Sequence, residues 1–190
     1  MPFDFNHLDI PEVILVTPKK FKDERGFFEE TYKRTEFING GIDREFQQDN
    51  HSFSVKGTLR GLHFQNPPNA QGKLVRCLKG KILDIAVDIR KGSPTIGKWV
   101  GEILSGENSR MLWIPEGFAH GFLALEDSHV EYKATNEYSK ESEDGIIWND
   151  DSFNINWGIE NPLISQKDFM WPSFNKSNSK FTYNEGDTEQ

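Results

Sequence analysis

The sequence predicts an all-β protein, an antiparallel barrel or sandwich. Short runs alternate apolar and polar residues, as strands with one buried face do. Gly- and Pro-containing turns separate these runs, and no long helical pattern interrupts them. Aromatic residues make up 13% of the chain, 15 of them phenylalanine, and aromatic and β-branched side chains suit strands. A chain of 190 residues most simply forms one domain with a substantial core.

The elements follow in order. Val13–Val16 reads as a short strand that stops at Pro18. Phe21, Phe27 and Phe28, interleaved with Asp23, Arg25, Glu29 and Glu30, suggest a strand that packs on one face. Thr35–Ile38 before Asn39-Gly40-Gly41 fits a single helical turn closed by glycine. Glu45–Val55 is polar for a strand, which ordinarily means that it faces water unless it lines a cavity. In TLRGLHFQ alternation puts Arg60 and Leu62 on one side, with His63 and Gln65 close to the turn that follows. NPPNAQG cannot continue a strand, because proline lacks the ladder donor. KLVRC then returns as a strand, and a hairpin here would bring Lys73 back beside His63.

KILDIAVDIR is the clearest strand, with Leu83, Ile85, Val87 and Ile89 on an apolar face and Ile82, Asp84, Ala86 and Asp88 on a mixed one. Trp99–Leu104 is a strand before a turn at Ser105–Asn108. MLWIPEGFAHGFLAL places a Pro-Glu-Gly turn and His120 between two further strands, and HVEYKATNEYS alternates around Tyr132 and Tyr138. Beyond Gly145 the chain reads as loop with short strands. From Ser173 to Gln190 it is almost wholly polar, so the expected division is one domain over residues 1–172 and a mobile polar tail over 173–190.

The formal net charge of −8 argues against a general nucleic-acid binder but leaves room for a phosphorylated small ligand held by local cations. Cys77 is the single cysteine, so no intrachain disulfide forms and a reducing compartment fits. The first 20 residues lack a basic start and a long apolar run. The expectation is a soluble, cytoplasmic protein with no membrane association.

Two chemistries compete for the histidines. Metal-binding barrels of the cupin type offer a His-x-His pair and a later Pro-x-Gly-x-x-His. The second half is present as Pro115–His120, whereas His63-Phe64-Gln65 puts an amide in the place of the second imidazole. Two imidazoles fall short of the three or four ligands usual for a stable site. Proton transfer fits better: a histidine works as a base near neutral pH, and a tyrosine donates a proton from another side. A lysine or second histidine stabilises an oxyanion between those steps. His63, Tyr132, Lys73 and His120 supply these groups.

The runs DERGFF, QDNHS, LRGLHFQ, QGKLVR, LDIAVDIR, WIPEGFAHGF, YKAT and SQKD, in this order over residues 10–172, resemble the dTDP-4-dehydrorhamnose 3,5-epimerase family. The resemblance implies a cupin-like barrel (double-stranded β-helix, or jelly roll) with few short helices. It also implies a homodimer, no metal and no other cofactor. The implied substrate is a dTDP-4-keto-6-deoxyhexose, epimerised at C3 and C5 through enolates toward dTDP-4-dehydro-L-rhamnose in dTDP-L-rhamnose biosynthesis.

By the same resemblance His63 is the general base, Asp168 orients it, Tyr132 is the proton donor and Lys73 sits near the C4 oxygen. Gln48, Asn50, Arg60 and His120 match substrate contacts, and Tyr138 and Glu143 lie where the nucleotide end is expected. Arg25, Phe28 and Glu30 match a segment that reaches into the neighbouring subunit's site. The chemistry asks for such groups: C3 and C5 both flank the C4 ketone, so loss of either proton leaves an enolate that a cation stabilises. The alternatives are a single-carbon epimerase of another dTDP-deoxysugar, a metal-dependent cupin enzyme and a non-catalytic sugar-binding barrel.

Overall fold

The structure is a computed structural model in which residues 2–183 are described. Thirteen strands run in order: β1 (Phe3–His7), β2 (Ile14–Pro18), β3 (Lys20–Asp23), β4 (Gly26–Glu29), β5 (Gln48–Ser54), β6 (Leu59–Gln65), β7 (Lys73–Lys79), β8 (Lys81–Asp88), β9 (Trp99–Ser105), β10 (Met111–Ile114), β11 (Phe118–Ala124), β12 (Ser128–Ala134) and β13 (Glu143–Gly145). Two short helices, α1 (Arg34–Asn39) and α2 (Gln166–Phe169), and one 3₁₀ turn at Phe174–Lys176 complete the described residues.

The strands build a six-stranded sheet, β1-β2-β10-β7-β12-β5, and a five-stranded sheet, β13-β6-β11-β8-β9. All pairings inside both are antiparallel. The sheets face each other around a core that takes Val75, Cys77, Leu112 and Val130 from one and Ile82, Ala86, Phe118 and Phe122 from the other. This is the jelly-roll arrangement expected of the sequence.

Each sheet is also covered outside. α1 brings Phe37 against Ile14, Val16, Leu74 and Trp113 on the back of the large sheet. The stretch after Gly145, which forms no named strand, lays Phe153 and Trp157 over Ile85, Val87 and Ile89 on the back of the small one. The wholly apolar face of β8 therefore points away from the barrel interior, and its mixed face, with Asp84 and Asp88, points in. The segment after Pro172 continues this cover: the Lys91 amide donates to the Phe181 carbonyl, the Tyr183 amide donates to the Lys91 carbonyl, and the Arg90 guanidinium sits 5.0 Å from the Tyr183 ring. Of the tail expected from residue 173, residues 184–190 lie outside the described residues.

Two expectations are corrected. β6 and β7 do not form a hairpin; the turn between them carries the chain from the small sheet to the large one. Lys73 and His63 thus stand on opposed sheets. The aromatics of β3 and β4 do not pack on a face of this chain: the strands pair only with each other, and Phe27 and Phe28 are 58% and 67% exposed.

Candidate active site

Simple alternation along β6 would separate Arg60 from His63, and the structure does not alternate there. Opposite β11, His63 pairs with His120 and Arg60 with Phe122, so three steps on β6 match two on β11. The extra residue is a bulge, and it turns Arg60 and His63 toward the same interior as His120, while Leu62 packs outward. Glycine makes this possible. Gly61 has φ +137°, and a Cβ on it would stand 2.5 Å from the Gly121 Cα and 3.0 Å from the His120 carbonyl oxygen.

The base candidate is held from the far end of the chain. Ser165 caps α2 by accepting from the Asp168 backbone N–H at 3.0 Å. That cap aims the buried Asp168 carboxylate at β6, where Oδ1 lies 2.7 Å from His63 Nε2 and Oδ2 3.4 Å from the Gly61 amide. Burial pushes the Asp168 carboxyl up, but the His63 hydrogen bond and charge carry it below the ordinary carboxylate range. An ionised Asp168 makes Nε2 the donor and leaves the lone pair on Nδ1, the atom suited to take a proton.

Tyr132 faces His63 from the other sheet, on β12, packed against the interior core. Burial raises its phenol pKa, partly offset by Arg60, which keeps the proton on the oxygen at neutral pH. Lys73 opens β7 with its Nζ 5.8 Å from the Tyr132 ring centroid. Burial lowers its pKa to about 8, against the pull of Asp84 and Glu143. Thr135, which ends the YKAT run, accepts from the Gly72 amide at 2.8 Å and so fixes the backbone that presents Lys73.

β5 turns every second polar side chain inward, namely Gln48, Asn50, Ser52 and Ser54. Gln48 Nε2 donates to Asn50 Oδ1 at 2.8 Å, and Arg60 Nε donates to Ser54 Oγ at 3.0 Å. Tyr138 and Glu143 stand together at the rim. The Tyr138 hydroxyl donates to Glu143 Oε2 at 2.7 Å, the Tyr138 amide donates to Gln48 Oε1 at 2.8 Å, and the other Glu143 oxygen pairs with Lys167.

His120 is buried and donates from Nε2 to Asp84 Oδ1 at 2.7 Å. Burial holds its pKa down, with Asp84 opposing. Nε2 of both histidines is committed to a carboxylate, which leaves Nδ1 as the free ring nitrogen of each. Gln65, in place of a second ligand imidazole, ties loops together by donating to the Asn69 and Glu137 carbonyls. Among the described residues no group of three or more His, Cys, Asp or Glu side chains is arranged to hold a metal ion.

Ten of the thirteen candidate residues therefore converge on one interior and its rim: His63, Asp168, Tyr132, Lys73, Gln48, Asn50, Arg60, His120, Tyr138 and Glu143. Arg25, Phe28 and Glu30 do not join them, since Arg25 is bonded to Asp23 on the exposed β3–β4 hairpin. Asp84, which the sequence leaves open between strand-end solvation and a pairing with Lys73 or His120, bonds His120 here. Sequence reasoning left out two residues that the fold places beside these: Lys167, which precedes Asp168 without a pattern of its own, and Trp171, whose ring stands 6.4 Å from that of His63.

Known proteins resemble the chain in sequence and in fold. The profile of the dTDP-4-dehydrorhamnose 3,5-epimerase family matches residues 7–176. The chain is 57% identical over 168 residues to the dTDP-4-dehydrorhamnose 3,5-epimerase of Shigella flexneri, covering 87% of this chain and 93% of that one. It superposes with TM-score 0.91 and 43% identity on the dTDP-6-deoxy-D-glucose-3,5-epimerase of Legionella pneumophila solved with dTDP-4-keto-L-rhamnose, covering 96% of this chain and 99% of that one. A 3'-monoepimerase of Streptomyces bikiniensis, solved with dTDP-quinovose, is similar at TM-score 0.83 and 28% identity, covering 88% of this chain and 86% of that one. With this match over nearly the whole barrel, the chain belongs to the dTDP-4-dehydrorhamnose 3,5-epimerase family.

Proposed function

We propose that the protein epimerises dTDP-4-dehydro-6-deoxy-D-glucose at C3 and C5, giving dTDP-4-dehydro-L-rhamnose for dTDP-L-rhamnose synthesis. The observation that carries this reading is the His63–Asp168 pair on one wall of the interior with Tyr132 on the opposite wall. Inversion at carbon needs a base on one face of the ring and a proton donor on the other.

In this reading His63 Nδ1 removes the proton next to the ketone, and Asp168 stabilises the resulting imidazolium. Electron density moves to the C4 oxygen, where the Lys73 ammonium meets it. Tyr132 then donates its proton to the carbanion carbon from the far face, and exchange with solvent resets both groups. The second carbon is inverted in the same way, and no step needs a cofactor. Arg60, Lys167 and the rim residues Tyr138 and Glu143 suit the nucleotide and its diphosphate, since guanidinium and ammonium groups pair with phosphate oxygens.

Greater identity to double epimerases than to the monoepimerase supports inversion at both carbons. The unpaired β3–β4 hairpin with its exposed phenylalanines supports a homodimer in which Arg25, Phe28 and Glu30 serve the neighbouring site. A cytoplasmic location fits a chain with one cysteine, and among the described residues no helix is long and apolar enough to cross a membrane.

The test is deuterium uptake from D2O into the 4-keto sugar nucleotide, read by NMR at C3 and C5. Uptake at both carbons is expected. His63→Ala and Tyr132→Phe are each expected to lower turnover by at least about 100-fold with dTDP binding kept. Uptake at one carbon would reassign the protein to a single-carbon epimerase, and binding without uptake would make it a sugar-nucleotide-binding barrel.

A further inference from the structure

Asp168 holds His63 by one hydrogen bond, Oδ1 to Nε2 at 2.7 Å. A single bond lying in the plane of the ring leaves the imidazole free to tilt about it, so a second contact must set where Nδ1 points. Residues directly opposite on paired antiparallel strands are nearest neighbours on one face. The residue opposite His63, on β13, is Gly145, which has no side chain to lie against the imidazole.

The space is filled from another element. Trp171 lays its indole on Gly145, where a Cβ would stand 2.5 Å from Trp171 Cε2 and 2.6 Å from Cδ2 and Nε1. From that seat its ring centroid stands 6.4 Å from that of His63 at an interplanar angle of 68°, an edge-to-face arrangement. Trp171 Nε1 is buried and makes no hydrogen bond among the described residues. The position therefore calls on the ring and not on its donor.

Trp171 and Asp168 belong to one short segment that is tied at both ends. Ser165 caps α2 at the Asp168 amide, and the Pro172 carbonyl accepts from the Ile147 amide at 2.9 Å. Lys167 Nζ lies over the indole, 5.6 Å from its centroid, and steadies it further. One segment thus delivers both a hydrogen bond and a ring contact to the same imidazole.

We propose that Trp171 is a positioning residue for the epimerisation: seated on Gly145, its ring holds the His63 imidazole at the tilt that aims Nδ1 at the substrate carbon. The inference rests on the epimerase reading of the site. Gly145 is the other half of the device, since a side chain there would unseat the indole.

Trp171→Ala removes the ring, Trp171→Phe keeps a ring without the N–H, and Gly145→Ala keeps the indole but pushes it off its seat. Trp171→Ala and Gly145→Ala are each expected to lower kcat about 10- to 100-fold with dTDP affinity kept, and Trp171→Phe to retain most of the turnover. The double variant Gly145→Ala/Trp171→Ala is expected to be no slower than Trp171→Ala alone. With the indole gone the added methyl has no ring to displace, and Gly145 has no positive φ that would strain an alanine. A readout without substrate is the pair of His63 ring C–H signals in NMR, assigned by their disappearance in His63→Asn. They should shift and broaden in Trp171→Ala and Gly145→Ala, and stay close to wild type in Trp171→Phe.

Wild-type kcat in Trp171→Ala would overturn the proposal, as would a loss of dTDP affinity as large as the loss of kcat. Additive losses in the double variant would overturn it too, because the two positions would then act separately. A Trp171→Phe protein as slow as Trp171→Ala would do the same by placing the effect in the indole N–H. If Trp171→Ala does not fold, Trp171→Leu removes the ring with less loss of volume and is read against the same expectations. Wild-type enzyme without deuterium uptake would instead refute the epimerase reading, while the His63 signals would still report on the Trp171 contact.

Discussion

Lys73 carries its ammonium inside the barrel, where desolvation lowers its pKa to about 8. A lysine depressed in the folded state binds its proton less tightly than in the unfolded chain, where the ordinary value is about 10.4. Between those values the unfolded chain holds more protons, so stability rises with pH across that window. Below about pH 8 the penalty is present in full, on the order of 3 kcal/mol. Lys73→Met is therefore expected to raise Tm at pH 7 while abolishing turnover, with the gain shrinking between pH 8 and 10.5. Thermal melts of both proteins at pH 7 and pH 10.5 check this, and a Lys73→Met protein less stable than wild type at pH 7 would contradict it. Asp168 works with the opposite sign. Its lowered pKa contributes stability above the ordinary Asp value of about 3.9 that is lost as pH falls through its folded-state value. The functional residue types were readable in the sequence, because a base, an acid and a cation are recognisable as such. Asp84 was readable only as a choice between strand-end solvation and a pairing with Lys73 or His120, and the fold settles on His120.

Among the elements, β6 shows what a single bulge decides. Strict alternation would send Arg60 and His63 to opposite faces, yet the extra residue at Gly61-Leu62 sets both inside. Gly61→Ala would drive a Cβ into the Gly121 backbone at 2.5 Å, in a backbone region that L residues rarely occupy. The variant is expected to lose on the order of 3 kcal/mol of stability and, where it still folds, to lose far more in kcat than in dTDP affinity. Denaturant melts and kinetics together read this, and near-wild-type kcat would mean that the bulge does not set the base. Elsewhere local pattern served in part: the polar β5 reads as a water-facing strand although it half-buries alternate residues, while the apolar and mixed faces of β8 and the helical turn closed at Gly40 did follow from local pattern. The bulge did not, because period-2 reasoning assumes that the ladder stays in step.

At the scale of the whole molecule, a chain of net charge −8 gathers Arg60, Lys73 and Lys167 around one interior. An anionic sugar nucleotide is thus met locally by cations although the overall field opposes it. The β3–β4 hairpin stays outside both sheets and exposes Phe27 and Phe28. If it serves the neighbouring subunit, mixing an inactive His63→Asn protein with an inactive Arg25→Ala/Phe28→Ala protein should restore activity. Heterodimers would hold one site with an intact base and an intact borrowed hairpin, for about a quarter of wild-type activity after subunit exchange. Activity that stays at the level of the two separate variants would place the hairpin's role within its own chain.

The sequence by itself determined the fold class, the strand faces and the chemical kinds of group present, because these depend on local periodicity, turn geometry and side-chain identity. Only the tertiary structure decided which of those groups meet. The turn after Gln65 crosses between sheets instead of forming a hairpin, so His63 and Lys73 approach from opposed walls. Asp168 reaches His63 across more than a hundred residues of chain, and Asp84 reaches His120 across the β8–β11 pairing. Such contacts are set by how two sheets stack and where a ladder slips by one residue. A local pattern carries no record of either.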